Sequence, residues 1–247
     1  FAPLPLQDDF DNSGLQVGLT ETEATGALLC LDVTEAVVKE AIATGCNLII
    51  SHHPLLFSPL KSITNTNYIG RCVIEAIKNN ITIYSAHTNL DNAAEGVNKQ
   101  IANLLGLVNT KPLQDKGNGN GAGIIGDLPN SISEQQLLKQ LQELFKVPAI
   151  KHNGELGRSI SKVALCGGSG AFLIPDAITM GADIFITEEI GYHRMFDYDG
   201  TIKLAELGHY ESEQFTIELL YNKLNTLCKG LKLVKTNVKT NPVNYWI

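Results

Sequence analysis

The sequence predicts an α/β protein of two related halves with mixed, largely parallel sheets, and three observations lead there. Apolar strands alternate with amphipathic helices in the order strand–helix–strand, the unit that lays strands parallel. One Gly/Asn-rich run, QDKGNGNGAG at 114–123, interrupts that alternation. The elements after the break also repeat those before it. An ungapped shift that lays Cys30 over Cys166 places LLCLDVTEAVVKEAIATGCNLIISHH on ALCGGSGAFLIPDAITMGADIFITEE. Leu29 then meets Leu165, Ala41 meets Ala177, Ile42 meets Ile178, Gly45 meets Gly181 and Ile50 meets Ile186.

Residues 26–33 (GALLCLDV) read as a buried strand. Residues 34–44 read as a helix with Thr34 as its N-cap and a stripe of Val37, Val38, Ala41 and Ile42. Gly45 stands where a helix C-cap belongs, and 46–51 is a second buried strand. A helix over about 68–79, a strand over 81–85 and a short helix within 94–105 follow. Beyond the break, Ser133 and Gln136 form a capping box for a helix reaching Phe145. Strands are expected at 163–166 and 183–187, with another ending at His209. In both halves polar residues gather at the carboxyl ends of strands, where open α/β sheets hold ligands.

Composition narrows the function. A net charge of −7 argues against a nucleic-acid groove. No apolar run approaches the roughly 20 residues of a membrane span. Five scattered cysteines without a CxxC pair do not make a disulfide framework, and their apolar surroundings suggest buried, inert thiols in a reducing compartment. The chain starts at Phe1 with nothing like a signal peptide, so a cytoplasmic location and a short trimmed N-terminal piece are expected.

Chemistry concentrates in three clusters. Ser51-His52-His53-Pro54 ends a strand with adjacent imidazoles, and proline stops the strand. Neighbouring side chains along a strand point to opposite sides, so two nearby metals would take His52 and His53 more easily than one metal would. Taken alone, such a pair is as well explained by hydrogen bonds in a turn. The second cluster is His87-Thr88-Asn89-Leu90-Asp91, and the third Gly208-His209-Tyr210-Glu211-Ser212-Glu213. A helix there puts His209 and Glu213, four apart, on one face. Histidine and carboxylate at three strand ends, with no accompanying cysteine, suit Zn, Fe or Mn with positions left for water. Cys166-Gly167-Gly168-Ser169-Gly170 offers backbone amides to an anion, although a tight packing turn is the simpler reading. Tyr192-His193 follows the pair Glu188-Glu189 and is a further, weaker ligand candidate.

These motifs resemble a known family. FDNSGLQVG at 10–18, SHHPLLF, AHTNLDNAAEGVN, GAGIIG, CGGSG and GHYESE, in this order, resemble the NGG-interacting-factor-three-like family, whose bacterial members are labelled GTP cyclohydrolase 1 type 2 homologues. The resemblance implies a NIF-three-like fold in which 1–115 and 205–247 build a metal-binding α/β domain and 121–204 a middle one. Longer members carry a PII-like insert at the junction that falls here at about 115–121. It implies two divalent metal ions (Zn, Fe or Mn) per chain on His52, His53, Asp91, His209 and Glu213, with Glu213 bridging. His87 would contact ligands or water and is the one catalytic candidate. It also implies a homo-oligomer, a hexameric ring, and a metal-activated water acting on C–N bonds of a small, nucleotide-like substrate. A non-catalytic, metal-dependent scaffold or regulatory ring is the alternative. Two features depart from the family: Thr187-Glu188-Glu189 stands where it often has Thr-Gly-Asp, and the GNGNG stretch stands where longer members carry the PII-like insert. Only Lys61 and Arg71 lie near the motifs as triphosphate partners.

Overall fold

A computed structural model describes residues 1–246. The chain forms two compact units. Ala2–Leu90 and Thr216–Val243 make a chain-end unit, and Asp91–Phe215, with residue 1 and the residues from Asn244 on, make a middle unit. The chain therefore passes between units at Leu90/Asp91 and Phe215/Thr216, and not at the Gly/Asn-rich run. That run is a small antiparallel ribbon, Gln114–Gly117 with Asn120–Ala122, inside the middle unit.

The chain-end unit carries a five-stranded sheet in the order Gly14–Val17, Thr82–Ser85, Leu48–Ser51, Ala27–Cys30, Leu233–Lys235. Only Gly14–Val17 runs antiparallel to its neighbour. Ala27–Cys30 is buried at every position, as a central parallel strand covered on both faces must be. Leu28, Leu29, Ile49 and Ile83 are fully buried, each contributing about 1.5–3 kcal/mol. The helix Glu35–Thr44 starts where Thr34 accepts a hydrogen bond from Val37 N and ends at Gly45 in the left-handed region, φ 68°. It buries Val37, Val38 and Ala41; Ile42, expected on that stripe, turns outward and is 40% exposed. The helix Tyr68–Lys78 is capped by Asn67, and Gly70 is required there because any Cβ would run into the Thr64 carbonyl.

The last strand fixes the chain end to its beginning. Leu233–Lys235 pairs in parallel with Ala27–Leu29, and Glu40 accepts hydrogen bonds from the Thr236 hydroxyl and from both nitrogens of Asn237. Burial alone would raise the Glu40 carboxyl, but these bonds outweigh it and lower its pKa.

The middle unit carries a mixed six-stranded sheet in the order Val108–Lys111, Ile124–Ile132, Ile160–Ser169, Ile184–Glu188, Lys203–Glu206, Lys151–His152. Its three central-to-edge strands Ile160–Ser169, Ile184–Glu188 and Lys203–Glu206 are parallel, and the others pair antiparallel. The capping box at Ser133 and Gln136 opens the helix Glu134–Phe145. The repeat read from the sequence extends to strand register. Leu29 pairs with Ile50 in one sheet, and their counterparts Leu165 and Ile186 pair in the other. Gly45 and Gly181 both lie in the left-handed region, at φ 68° and 74°.

The fold is thus mixed α/β with largely parallel sheets. Among the described residues no helix is long and apolar enough to cross a membrane. Cys30, Cys46 and Cys72 are buried, and burial pushes the Cys30 and Cys72 thiols up, Cys72 to about 11. Cys166 is only half-buried and Cys228 is exposed, so the expectation of five buried thiols fails for those two.

Candidate metal centre

In the chain-end unit the parallel strands Leu48–Ser51 and Thr82–Ser85 end side by side, Ser51 paired with Ser85. Their hydroxyls meet at 2.8 Å and lie 2.8 and 3.1 Å from the His53 carbonyl, so that two protons serve the three contacts. That clamp fixes the backbone from which His52 and His53 project. The strand has ended at Ser51, so alternation no longer governs the two side chains. Their rings converge, with centroids 4.9 Å apart, and the His87 ring lies 5.3 and 5.5 Å from them. The expected divergence of His52 and His53 is therefore corrected. Ligand nitrogens of His52, His53 and His87 all lie within 4.8 Å of one another.

All three histidines are oriented through Nδ1. His52, fully buried, has Nδ1 2.7 Å from the Ala86 carbonyl. His53 Nδ1 is 2.7 Å from Asp32 Oδ1, and His87 Nδ1 is 2.7 Å from Asp11 Oδ1. An oxygen at Nδ1 makes that nitrogen the proton donor, so in the neutral ring Nε2 is the atom that would coordinate a metal, the arrangement of metal-binding histidines. The orienting carboxylates are themselves held. Asp32 Oδ2 accepts from the Thr240 hydroxyl at 2.6 Å. Asp11 accepts from Ser13 Oγ, Thr88 N and Thr88 Oγ1. Burial alone would raise the Asp11 carboxyl, but hydrogen bonds from His87, Ser13 and Thr88 outweigh it and hold it far below the usual carboxylate range.

In the middle unit His209 opens the short helix His209–Glu213, and its Nε2 lies 3.2 Å from Glu213 Oε2, one turn on. The four-residue spacing thus does bring this pair together. His209 Nδ1 lies 3.3 Å from Glu188 Oε2, at the end of Ile184–Glu188. Burial alone would lower the His209 pKa; hydrogen bonds and charges of Glu188 and Glu213 raise it to about 11. Glu188, Glu189 and His209 form a second close group of donors. Asp91 ends the helix Thr88–Asp91, its carbonyl bound by Asn98 Nδ2 at 3.1 Å.

The CGGSG turn shapes this half. Its amides are taken by side chains: Gly167 N donates to Asn98 Oδ1, Gly168 N to Ser212 Oγ and Gly170 N to Thr187 Oγ1, at 3.0, 3.0 and 2.8 Å. It is a packing turn and not an anion cradle. Gly168 has φ 63°, and a Cβ there would overlap Glu213 Oε1, so glycine makes the room that the carboxylate occupies.

Some candidates are placed elsewhere. His193 is exposed on the helix Tyr192–Asp197, with its ring 5.4 Å from Tyr192. Arg71 pairs with Glu35 at 2.8 Å and Lys61 is exposed, so neither is arranged as an anion clamp. The sequence reading gave Asp11 and Asp32 no role and left that of Glu188 open. The only hint was position: Asp32 and Glu188 lie at carboxyl ends of parallel strands, and Asp11 lies within FDNSG. The donor set, imidazoles with oriented Nε2 and carboxylates without thiolate, fits a divalent metal such as Zn, Fe or Mn.

A Clostridium acetobutylicum protein named GTP cyclohydrolase 1 type 2 homolog is 35% identical over 232 residues, 91% of this chain and 85% of its own. The crystal structure of Staphylococcus aureus hypothetical protein SA1388 matches with a TM-score of 0.92 at 26% identity, covering 99% of this chain and 95% of its own. A Bacillus cereus protein related to NIF3 matches with a TM-score of 0.88 at 25% identity, covering 99% and 96%. Residues 1–242 match the family described as Duf34/NIF3 (NGG1p interacting factor 3), and the chain belongs to that family.

Proposed function

We propose that His52, His53, Asp91, His209 and Glu213 hold two divalent metal ions and that the protein is a metal-dependent hydrolase of a small molecule. The observation that carries this reading is the shared anchoring of the histidines: Ala86 O, Asp32 and Asp11 each occupy an Nδ1, and ligand nitrogens of the three rings lie within 4.8 Å of one another. A merely structural histidine has no need of a dedicated carboxylate behind it. Divalent ions bound there would polarise a substrate and bring the pKa of a water toward 7. His87, half-buried and backed by Asp11, is placed to accept or return a proton at Nε2.

Relatives named GTP cyclohydrolase 1 type 2 homolog favour hydrolysis of a C–N bond in a nucleotide-like compound. The engaged Arg71 counts against a triphosphate as the grip. The reading includes a homohexamer, and domains joined as the family's are.

The test is metal content per chain by elemental analysis on wild type, His53→Ala and Glu213→Ala. Two ions in wild type, reduced in both variants, is the expected result. A wild type that neither retains nor takes up Zn, Fe or Mn overturns the reading.

A further inference from the structure

Beside the three imidazoles stand two phenylalanines that the core does not use. Phe10 is 66% exposed and Phe57 49% exposed, although both sit on tightly held backbone. Asn12 Nδ2 donates to the Leu56 carbonyl at 2.7 Å, Leu56 N donates to Gln16 Oε1 at 3.1 Å, and Gln16 Nε2 returns to the Asn12 carbonyl at 2.6 Å. Phe10 directly precedes Asp11, the residue that holds His87, and Phe57 directly follows Leu56. The Phe57 and His87 rings are nearly perpendicular, 6.1 Å apart at 83°, and Phe10 lies 6.5 Å from Phe57 at 59°. Neither phenylalanine is face-stacked on the other, so their faces are not consumed by the pair.

Rigid, solvent-exposed aromatic rings contiguous with a donor cluster are poor fold elements and good binding elements. Their apolar area is left in water by this unit, and their positions are set before any ligand arrives. We propose that the Phe57 ring is the platform on which a planar heteroaromatic ring of the substrate stacks, next to His87, with the Phe10 ring, inclined at 59° to it, bounding the edge of the stacked ring. This rests on the hydrolase reading and names its substrate class: compounds whose recognised part is a flat heteroaromatic ring, not a phosphate. Stacking on an aromatic side chain is sequence-tolerant and strong enough to position a ring without a cationic clamp.

The test uses the metal-loaded full chain and two probes, guanosine (ring without phosphate) and ribose 5-phosphate (phosphate without ring), in equilibrium dialysis. Guanosine is expected to bind at least about tenfold more tightly than ribose 5-phosphate. Phe10→Leu and Phe57→Leu are each expected to weaken guanosine by about tenfold or more, and Phe57→Tyr to retain it. Metal content and molar mass should stay unchanged in all three variants. Equal binding of guanosine by wild type and both leucine variants, or no binding by metal-replete wild type, overturns the platform. So does a change of molar mass in the leucine variants with guanosine binding intact, which would show rings sealed between copies of the chain. Metal content measured on the same samples separates the two ideas. Metal without guanosine binding defeats the platform alone, whereas guanosine binding without metal defeats the hydrolase reading alone.

Discussion

Asp32 is to His53 what a carboxylate is to a metal-bound imidazole: it fixes the tautomer and adds electron density to the ring. Asp32→Ala is expected to lower metal affinity about 10–100-fold while leaving the fold intact, measured by titration against a chelator of known affinity. Asp11 has a second consequence, for acid stability. Its native pKa is depressed, so the stabilisation is present above the unfolded value near 3.8 and is lost as pH falls through the native pKa. Asp11→Asn lacks that titration. It is expected to be less stable than wild type by about 1.5–3 kcal/mol near neutrality, with the gap closing toward about pH 2, followed by thermal melts across that range. None of this was legible from sequence. Asp32 lies 2.7 Å from a histidine just past the end of the neighbouring strand, and a pairing between adjacent strand ends leaves no mark in local spacing. The histidines were legible because strand ends and proline mark them.

At the scale of elements, the helix His209–Glu213 was legible because its two donors are one turn apart, and a turn is a local fact. The CGGSG turn was legible only as a turn. That its amides would be satisfied by Asn98, Ser212 and Thr187, and that Gly168 would yield its Cβ volume to Glu213, depends on elements far apart in sequence. Gly168→Ala therefore carries two costs. A left-handed backbone costs a non-glycine residue about 1–2 kcal/mol, and the new methyl displaces the Glu213 carboxylate. Gly181→Ala is the control, with φ 74° and open space around the added methyl, so it carries the backbone cost alone. A larger loss of melting temperature in Gly168→Ala than in Gly181→Ala, with metal loss confined to Gly168→Ala, is the expected outcome. Equal metal content in both would show that the glycine serves the backbone only.

Across the whole molecule, the alternation and the repeat were enough to read two α/β halves, because parallel strand pairing follows from strand–helix–strand order and the copies even share register. Where the chain changes units was not legible. Two crossings fall within the helix Thr88–Asp91 and just before the helix Thr216–Leu227, whereas the conspicuous Gly/Asn run is a hairpin inside one unit. The last segment links scale to scale. Leu233–Lys235 completes the sheet begun by Ala27–Cys30, Thr236 and Asn237 fasten to Glu40, and Thr240 reaches Asp32, which orients His53. The C-terminal segment thus supports both the sheet and His53, a proposed metal ligand of the same unit, and two substitutions separate those tasks. Glu40→Ala removes the fastening of the strand and is expected to cost about 1–3 kcal/mol, read as a fall in melting temperature. Thr240→Val removes only the hydroxyl on Asp32 Oδ2, leaving the strand paired. It is expected to weaken metal binding severalfold with little change in melting temperature, because Asp32 then holds His53 less firmly. If Thr240→Val melts early and keeps its metal, the segment is a structural clasp and the link from chain end to ligand fails.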